Sequence, residues 1–99
     1  MMDERLKEIA DYYKLYGQLI KTVEELGELS TECAKALGGK LNDNMYSEIA
    51  DVSIMLDQII YLLGCEKKVE EQIEYKIRRQ VGRMNIAKKG VNKNEQTGR

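Results

Sequence analysis

Residues 18–32, QLIKTVEELGELSTE, and residues 47–59, SEIADVSIMLDQI, mix acidic and aliphatic side chains at helical spacing. Each stretch holds two carboxylates three residues apart: Glu25 with Glu28, and Glu48 with Asp51. Positions i and i+3 lie on one face of a helix. Two such helices packed face to face would bring four carboxylates together, and these repel one another unless a cation lies among them. The hard divalent cation Mg²⁺ is the expected occupant, with Mn²⁺ as a second candidate.

Helical periodicity and glycine stops predict four helices. Lys, Glu, Leu and Ile dominate the composition and favour helix. Gly17 is expected to separate the first two helices, and Gly38 and Gly64 are expected to end the second and third. The predicted helices are Asp3–Tyr16, Gln18–Leu37, Met45–Leu63 and Glu66–Lys88. We therefore expect residues 1–99 to form a single all-α domain, a compact four-helix bundle-like fold with a frayed tail from Gly90 onward.

The third predicted helix is the most apolar of the four. Its apolar residues cover more than one stripe: Ile49, Val52, Met55, Leu56, Ile59, Ile60 and Leu63. A helix that is apolar on a wide arc is buried on two sides. Because small domains often gain core by association, we expect the domain to oligomerise, as a homodimer or as a homotetramer built as a dimer of dimers.

Composition excludes several classes of site. The 99 residues contain no histidine, which removes the Ser-His-Asp triad, the histidine-bound zinc site and the Glu-x-x-His di-iron bundle. The formal net charge of −1 gives no reason to expect a nucleic-acid partner. The amino terminus is charged from Asp3 onward, without the apolar stretch of a signal peptide or membrane span. We therefore expect a cytoplasmic protein with no membrane partner.

The position of Glu48 argues that the acidic residues are more than surface charge. Glu48 shares the apolar stripe of its helix with Val52 and Met55, and burying a lone carboxylate is costly. A lysine or arginine could compensate it, and so could a metal ion. The metal also accounts for the second carboxylate pair on the preceding helix, where Glu25 borders Leu29 at the packing edge.

The pattern EExxE followed by ExxD on consecutive helices resembles the MazG-like nucleoside triphosphate pyrophosphohydrolases, of the all-α NTP pyrophosphatase superfamily. The resemblance covers about residues 18–83 and implies Mg²⁺-dependent hydrolysis of a nucleoside triphosphate to the monophosphate and pyrophosphate, as in house-cleaning of the nucleotide pool. It also implies assembly as dimers or dimers of dimers. The metal ligands it implies are Glu25, Glu28, Glu48 and Asp51. Glu24 and Glu25 are the catalytic candidates, with Glu24 in a supporting or water-orienting role.

Fixed cations and amides are needed to hold a triphosphate. Lys76, Arg79 and Arg83 share one face of the last predicted helix, with Gln80 among them. Relatives often carry asparagine where this chain has Gln80. Lys21, one turn before Glu25, is another candidate for a phosphate contact, and Gln18 could contact a base edge. Lys76, Arg79 and Arg83 could equally form a solvated basic face with no ligand.

Two other functions remain open. A non-enzymatic helical module that dimerises or regulates a partner would need no metal, and a lysine or arginine from a second subunit would pair with Glu48. An enzyme like phosphoribosyl-ATP pyrophosphatase would cut the same kind of bond in a different substrate.

Overall fold

The computed structural model describes residues 2–90, and this part of the chain is all-α, as the sequence predicts. It contains the helices α1 (Glu4–Leu37), α2 (Asn44–Leu63) and α3 (Glu66–Gly90). No strand occurs within residues 2–90. α1 and α2 pack together in one compact unit, and α3 belongs to a second unit. The predicted frayed tail, apart from Gly90 itself, lies outside the described residues.

The sequence predicts two helices where the structure has the single helix α1. The helix continues through Gly17, where a break is predicted, and is interrupted instead at Lys14, whose φ is 67° and ψ 170°. Gly17 is helical, and a Cβ added there would lie 3.9 Å from the Cβ of Tyr13, an ordinary contact. Glycine permits a break but does not impose one, so the predicted position was wrong by three residues.

The kink at Lys14 lets α1 contact α2 on both sides of it. Before the kink, the hydroxyl of Tyr61 donates a hydrogen bond to the carboxylate of Asp11 at 2.9 Å. After it, Nε2 of Gln18 donates to Oε1 of Gln58 at 2.6 Å. Asp11 and Gln18 are seven positions apart, whereas Gln58 and Tyr61 are three apart. The difference corresponds to about 6 Å of straight helix, which the kink and the long tyrosine side chain together accommodate.

The packing of α1 on α2 is unusually polar for a helix pair. The buried apolar residues are Ala10, Val52 and Met55, and the buried polar or charged ones are Gln18, Glu25, Glu32 and Gln58. Large aliphatic side chains on both helices remain exposed, among them Ile20 and Leu56. The unit therefore buries little apolar surface by itself.

The ends of α1 and α2 follow from local chemistry. The Asp3 carboxylate accepts a hydrogen bond from the Arg5 backbone N–H at 2.8 Å and caps α1. At the start of α2, Oδ1 of Asn42 accepts from the Asn44 N–H at 2.8 Å. α2 ends before Gly64, whose φ of 60° places it in the left-handed region that favours glycine. None of the helices in residues 2–90 combines the length and the apolar character needed to cross a bilayer.

Two alanine substitutions test these helix assignments with opposite expected signs. Gly17→Ala should raise the free energy of unfolding by about 0.5–1 kcal/mol, because alanine is the better helix former and its methyl group fits. Gly64→Ala should lower it by about 1–2 kcal/mol, because a left-handed φ is strained for a residue with a Cβ. Urea unfolding of both variants beside the unsubstituted chain provides the measurement. A Gly17→Ala variant less stable than the parent would contradict a helical Gly17 and support the predicted break at that residue.

Candidate metal centre

Two hydrogen-bonded pairs fix how α1 and α2 lie against each other. Gln18 bonds to Gln58 at 2.6 Å, and Nδ2 of Asn44 donates to Oε2 of Glu32 at 2.9 Å. Residues early in α1 thus meet residues late in α2, so the two helices run antiparallel. Gln18 and Glu32 are fourteen positions apart on α1, and Asn44 and Gln58 are fourteen positions apart on α2. The register is therefore unchanged between these two pairs.

The acidic cluster lies between these two pairs. One carboxylate oxygen from each of Glu25, Glu48 and Asp51 lies within 4.8 Å of the others. Glu25 is 6% exposed, and the other two are half-buried. The structure therefore brings together three of the four carboxylates that the sequence predicts as metal ligands.

Glu28, the fourth predicted ligand, lies on the more exposed side of the cluster. It is not among the three residues whose oxygens lie closest together. It is still near Glu48, because its charge is one of the causes that raise the pKa of the Glu48 carboxyl.

Two oxygens of the cluster are buried without a partner. Among the described residues, neither Oε1 of Glu25 nor Oε1 of Glu48 accepts a hydrogen bond. Buried polar atoms are nearly always paired, so each orphan needs an explanation. Desolvation raises the pKa of Glu48 above its ordinary value of 4.5, and the charges of Glu28, Asp51 and Glu25 raise it further.

Glu32, at the same interface, is a buried carboxylate that has hydrogen-bond donors. It is 5% exposed, but it accepts hydrogen bonds from Asn44 at 2.9 Å and from Lys35 at 3.2 Å. The hydrogen bond from Asn44 lowers the pKa of Glu32, and Lys35 acts in the same direction against the effect of burial. The pKa values of Glu32 and Glu48 shift in opposite directions, because burial and neighbouring carboxylates raise the pKa of Glu48, whereas hydrogen-bond donors outweigh burial at Glu32.

The donor set fits a hard divalent cation. Carboxylate oxygens are the ligands that Mg²⁺ and Mn²⁺ prefer. Two oxygens bound to one Mg²⁺ at the usual bond length lie at most about 4.2 Å apart. Three oxygens on one octahedral Mg²⁺ include pairs only about 3 Å apart, so the three oxygens, which lie within 4.8 Å of one another, would have to move closer together around the cation. The unpartnered oxygens of Glu25 and Glu48 are the atoms that such a cation would satisfy.

Lys21 and Glu24, two further predicted site residues, lie beside the cluster and pair with each other. The Lys21 ammonium is 2.9 Å from Oε1 of Glu24 and 3.3 Å from Oε2 of Glu25. These two contacts raise the pKa of Lys21, the contact with Glu24 contributing more. Glu24 is exposed and is not one of the clustered carboxylates.

The remaining predicted substrate contacts have different surroundings. Gln18 is buried, and its amide nitrogen is engaged by Gln58. The other four lie on α3 and are exposed: Lys76, Arg79, Gln80 and Arg83. The guanidinium of Arg79 lies over the ring of Tyr75, 5.6 Å from its centroid.

Gln58 and Asn44, which pair with Gln18 and Glu32, were not predicted from the sequence as interface residues. A signal for them exists in the spacing. Polar residues recur every seven positions on both helices: Gln18, Glu25 and Glu32 on α1, and Asn44, Asp51 and Gln58 on α2. A seven-residue repeat places side chains on one seam of an antiparallel pair, so the repeat could have predicted the polar interface and its register.

Comparison with family models, with curated proteins and with solved structures found no match to this chain.

Replacing Glu48 by glutamine tests the electrostatics of the cluster without any metal. The folded-state pKa of Glu48 is raised above the ordinary value of 4.5. Ionisation of Glu48 therefore does not destabilise the fold below pH 4.5, and the destabilisation grows as pH rises from there through the folded-state pKa. In the presence of a chelator, Glu48→Gln should therefore raise Tm at neutral pH and leave it nearly unchanged below pH 4.5.

The matched control is Glu8→Gln, at an exposed position on the same α1–α2 unit, for which no such pH-dependent gain is expected. Melting curves of both variants across this pH range provide the data. A Glu48→Gln variant destabilised at neutral pH would show that the carboxylate has a favourable partner.

Proposed function

We propose that the chain catalyses the Mg²⁺-dependent hydrolysis of a nucleoside triphosphate, with a deoxynucleotide as the expected substrate, to the monophosphate and pyrophosphate. The observation that carries the proposal is the pair of buried, unpartnered oxygens of Glu25 and Glu48 in a group of three converging carboxylates. The motif resemblance to the MazG-like pyrophosphohydrolases supplies the reaction, and the geometry is compatible with it.

A structural salt-bridge cluster is the competing explanation for the same residues. Within residues 2–90, neither Glu48 nor Asp51 forms an ion pair with a lysine or arginine, and Glu25 is the one carboxylate of the cluster that Lys21 contacts. Three negative charges and one nearby ammonium leave the cluster undercompensated. This imbalance favours a divalent cation over a purely structural role.

In the proposed site, Glu25, Glu48 and Asp51 hold the cation, and Glu28 approaches from the solvent side. When bound, Mg²⁺ would neutralise polyphosphate charge and polarise the α-phosphate towards attack by water. The antiparallel packing fixes the carboxylates, because the pairs Gln18–Gln58 and Glu32–Asn44 prevent α1 from sliding along α2. The chemistry needs no covalent nucleophile, in keeping with a chain that contains no histidine.

The substrate contacts are the less specified part of the proposal. Lys76, Arg79, Gln80 and Arg83 provide exposed donors on α3 and are proposed to bind phosphate oxygens. A role for Gln18 in contacting a base edge would require its bond to Gln58 to break. Gln18 is therefore better placed to hold the helix register than to select a base.

We also propose that the chain associates with itself. Exposed aliphatic residues occur along α2, at Ile49, Ile54, Leu56 and Leu63, and along α3, at Ile73, Ile77, Val81 and Met84. Two copies of the α1–α2 pair would together contain four helices, whereas the sequence predicts four helices within one chain. A cytoplasmic location is part of the same proposal.

The activity test is a panel of ribo- and deoxynucleoside triphosphates with Mg²⁺, in which pyrophosphate and phosphate are measured separately. We expect pyrophosphate, and in ¹⁸O-labelled water we expect the label in the monophosphate, because water attacks the α-phosphorus. Glu48→Gln should reduce kcat/KM by about 100-fold or more, with circular dichroism unchanged. Glu8→Gln, remote from the cluster in sequence, should retain the parent activity.

Three outcomes would contradict the proposal in different ways. Free phosphate with a nucleoside diphosphate would rule out attack at the α-phosphorus. Full activity in Glu48→Gln would rule out the site. A chain that turns over no nucleotide, and whose Tm does not rise with Mg²⁺, would favour the non-enzymatic helical module.

The assembly is tested by light scattering coupled to size exclusion at micromolar concentration. We expect a mass of two or four chains, because the exposed aliphatic surface of α2 is too wide for α1 to cover. Leu56→Glu places a charge on that surface and should shift the mass towards one chain. A mass of one chain for the unsubstituted protein would contradict self-association.

A further inference from the structure

Lys21 occupies an unusual position, between a carboxylate of the candidate metal centre and one outside it. Its ammonium contacts Oε2 of Glu25 at 3.3 Å and Oε1 of Glu24 at 2.9 Å. The Glu25 side chain is 8% exposed, whereas those of Glu24 and Lys21 are 57% and 52% exposed. Lys21 therefore provides the only positive charge that contacts the buried cluster within residues 2–90.

The two oxygens of Glu25 are in different states. Oε2 is paired with Lys21, and Oε1 is buried without a partner. A divalent cation bound by Glu25 would lie close to the Lys21 ammonium, and the two positive charges would repel each other. The ammonium and the cation therefore compete for one carboxylate.

Lys21 keeps a partner when it leaves Glu25. Its shorter contact is with Glu24, which is exposed and lies outside the group of clustered oxygens. The lysine side chain is long and flexible, so its ammonium can move while it stays beside Glu24. Glu24 thus offers the ammonium a second anchor one position away from the first.

We propose that Lys21 is an internal counter-ion of the metal centre, which neutralises Glu25 when no cation is bound and moves away from Glu25 when a divalent cation enters. This inference rests on the proposed metal site and adds to it a residue that lowers the affinity for the cation. The displaced ammonium would be held by Glu24 beside the bound cation, where the phosphates of a substrate would arrive. Glu24 and Lys21 then act as positioning residues around the ligands.

The test is a calorimetric titration of the full chain with MnCl₂, without nucleotide. Lys21→Met removes the competing charge and keeps the aliphatic length, so Kd for Mn²⁺ should fall by about two- to tenfold. Lys21→Arg keeps the charge and should behave like the parent. The matched control is Lys35→Met, which removes an equally exposed lysine that pairs with Glu32, outside the cluster.

The stability of the same variants separates a counter-ion from an ordinary surface lysine. In the presence of a chelator, Lys21→Met should have a lower Tm than the parent, because the cluster loses its compensating charge. With saturating Mn²⁺ the deficit should disappear, since the cation replaces the lysine. Lys35→Met should show the same change in Tm with and without the cation.

Spectroscopy reports the movement directly. In the protein labelled with ¹³C-lysine, the Cε signal of Lys21, identified by its loss in Lys21→Met, should shift on addition of Mg²⁺. An unchanged signal would overturn the counter-ion role while leaving the metal site intact. So would a Kd for Mn²⁺ in Lys21→Met that is equal to or higher than that of the parent. A parent chain that binds no divalent cation would overturn both, so the two failures are distinguishable.

Discussion

The desolvation and mutual repulsion of carboxylates between α1 and α2 is the constraint on which the structure depends. Interfaces between helices are usually held by apolar side chains, and this one buries only Ala10, Val52 and Met55 among its apolar residues. Charged groups at such an interface are unfavourable unless each has a partner. Glu32 has its donors, whereas Glu25 and Glu48 each have one buried oxygen without a partner, so the interface contains both satisfied and unsatisfied acidic positions. Real proteins keep a local conflict of this kind mainly where a ligand resolves it.

The sequence was sufficient to predict the helical class and the ends of α1 and α2. Gly38 and Gly64 mark those ends, because glycine adopts left-handed or irregular backbone conformations without the steric strain that a Cβ causes. The acidic cluster was also predictable, since i and i+3 spacing is a property of any helix. Its three-dimensional form required only that the two helices pack through those faces, which the apolar neighbours of Glu48 indicated.

Other features depend on interactions between residues distant in the sequence and were not predictable from local pattern. The kink at Lys14 lies between two contacts with α2, those of Asp11 and Gln18, whereas the local sequence favours Gly17 as the break. The register of the helices was encoded in a seven-residue repeat of polar residues, but amides and carboxylates at such positions are ambiguous until their partners are known.

The order of contacts along the α1–α2 pair bears on how the chain folds. Glu32 and Asn44 are twelve positions apart, whereas Gln18 and Gln58 are forty apart. Closing a short loop costs less conformational entropy than closing a long one, and local contacts speed folding. The Glu32–Asn44 contact therefore has the smaller entropy cost of loop closure, and it already sets the alignment of the two helices. Pairing can then extend away from the turn. The residues of the acidic cluster would meet after the Asn44 amide and the Glu32 carboxylate have aligned the two helices.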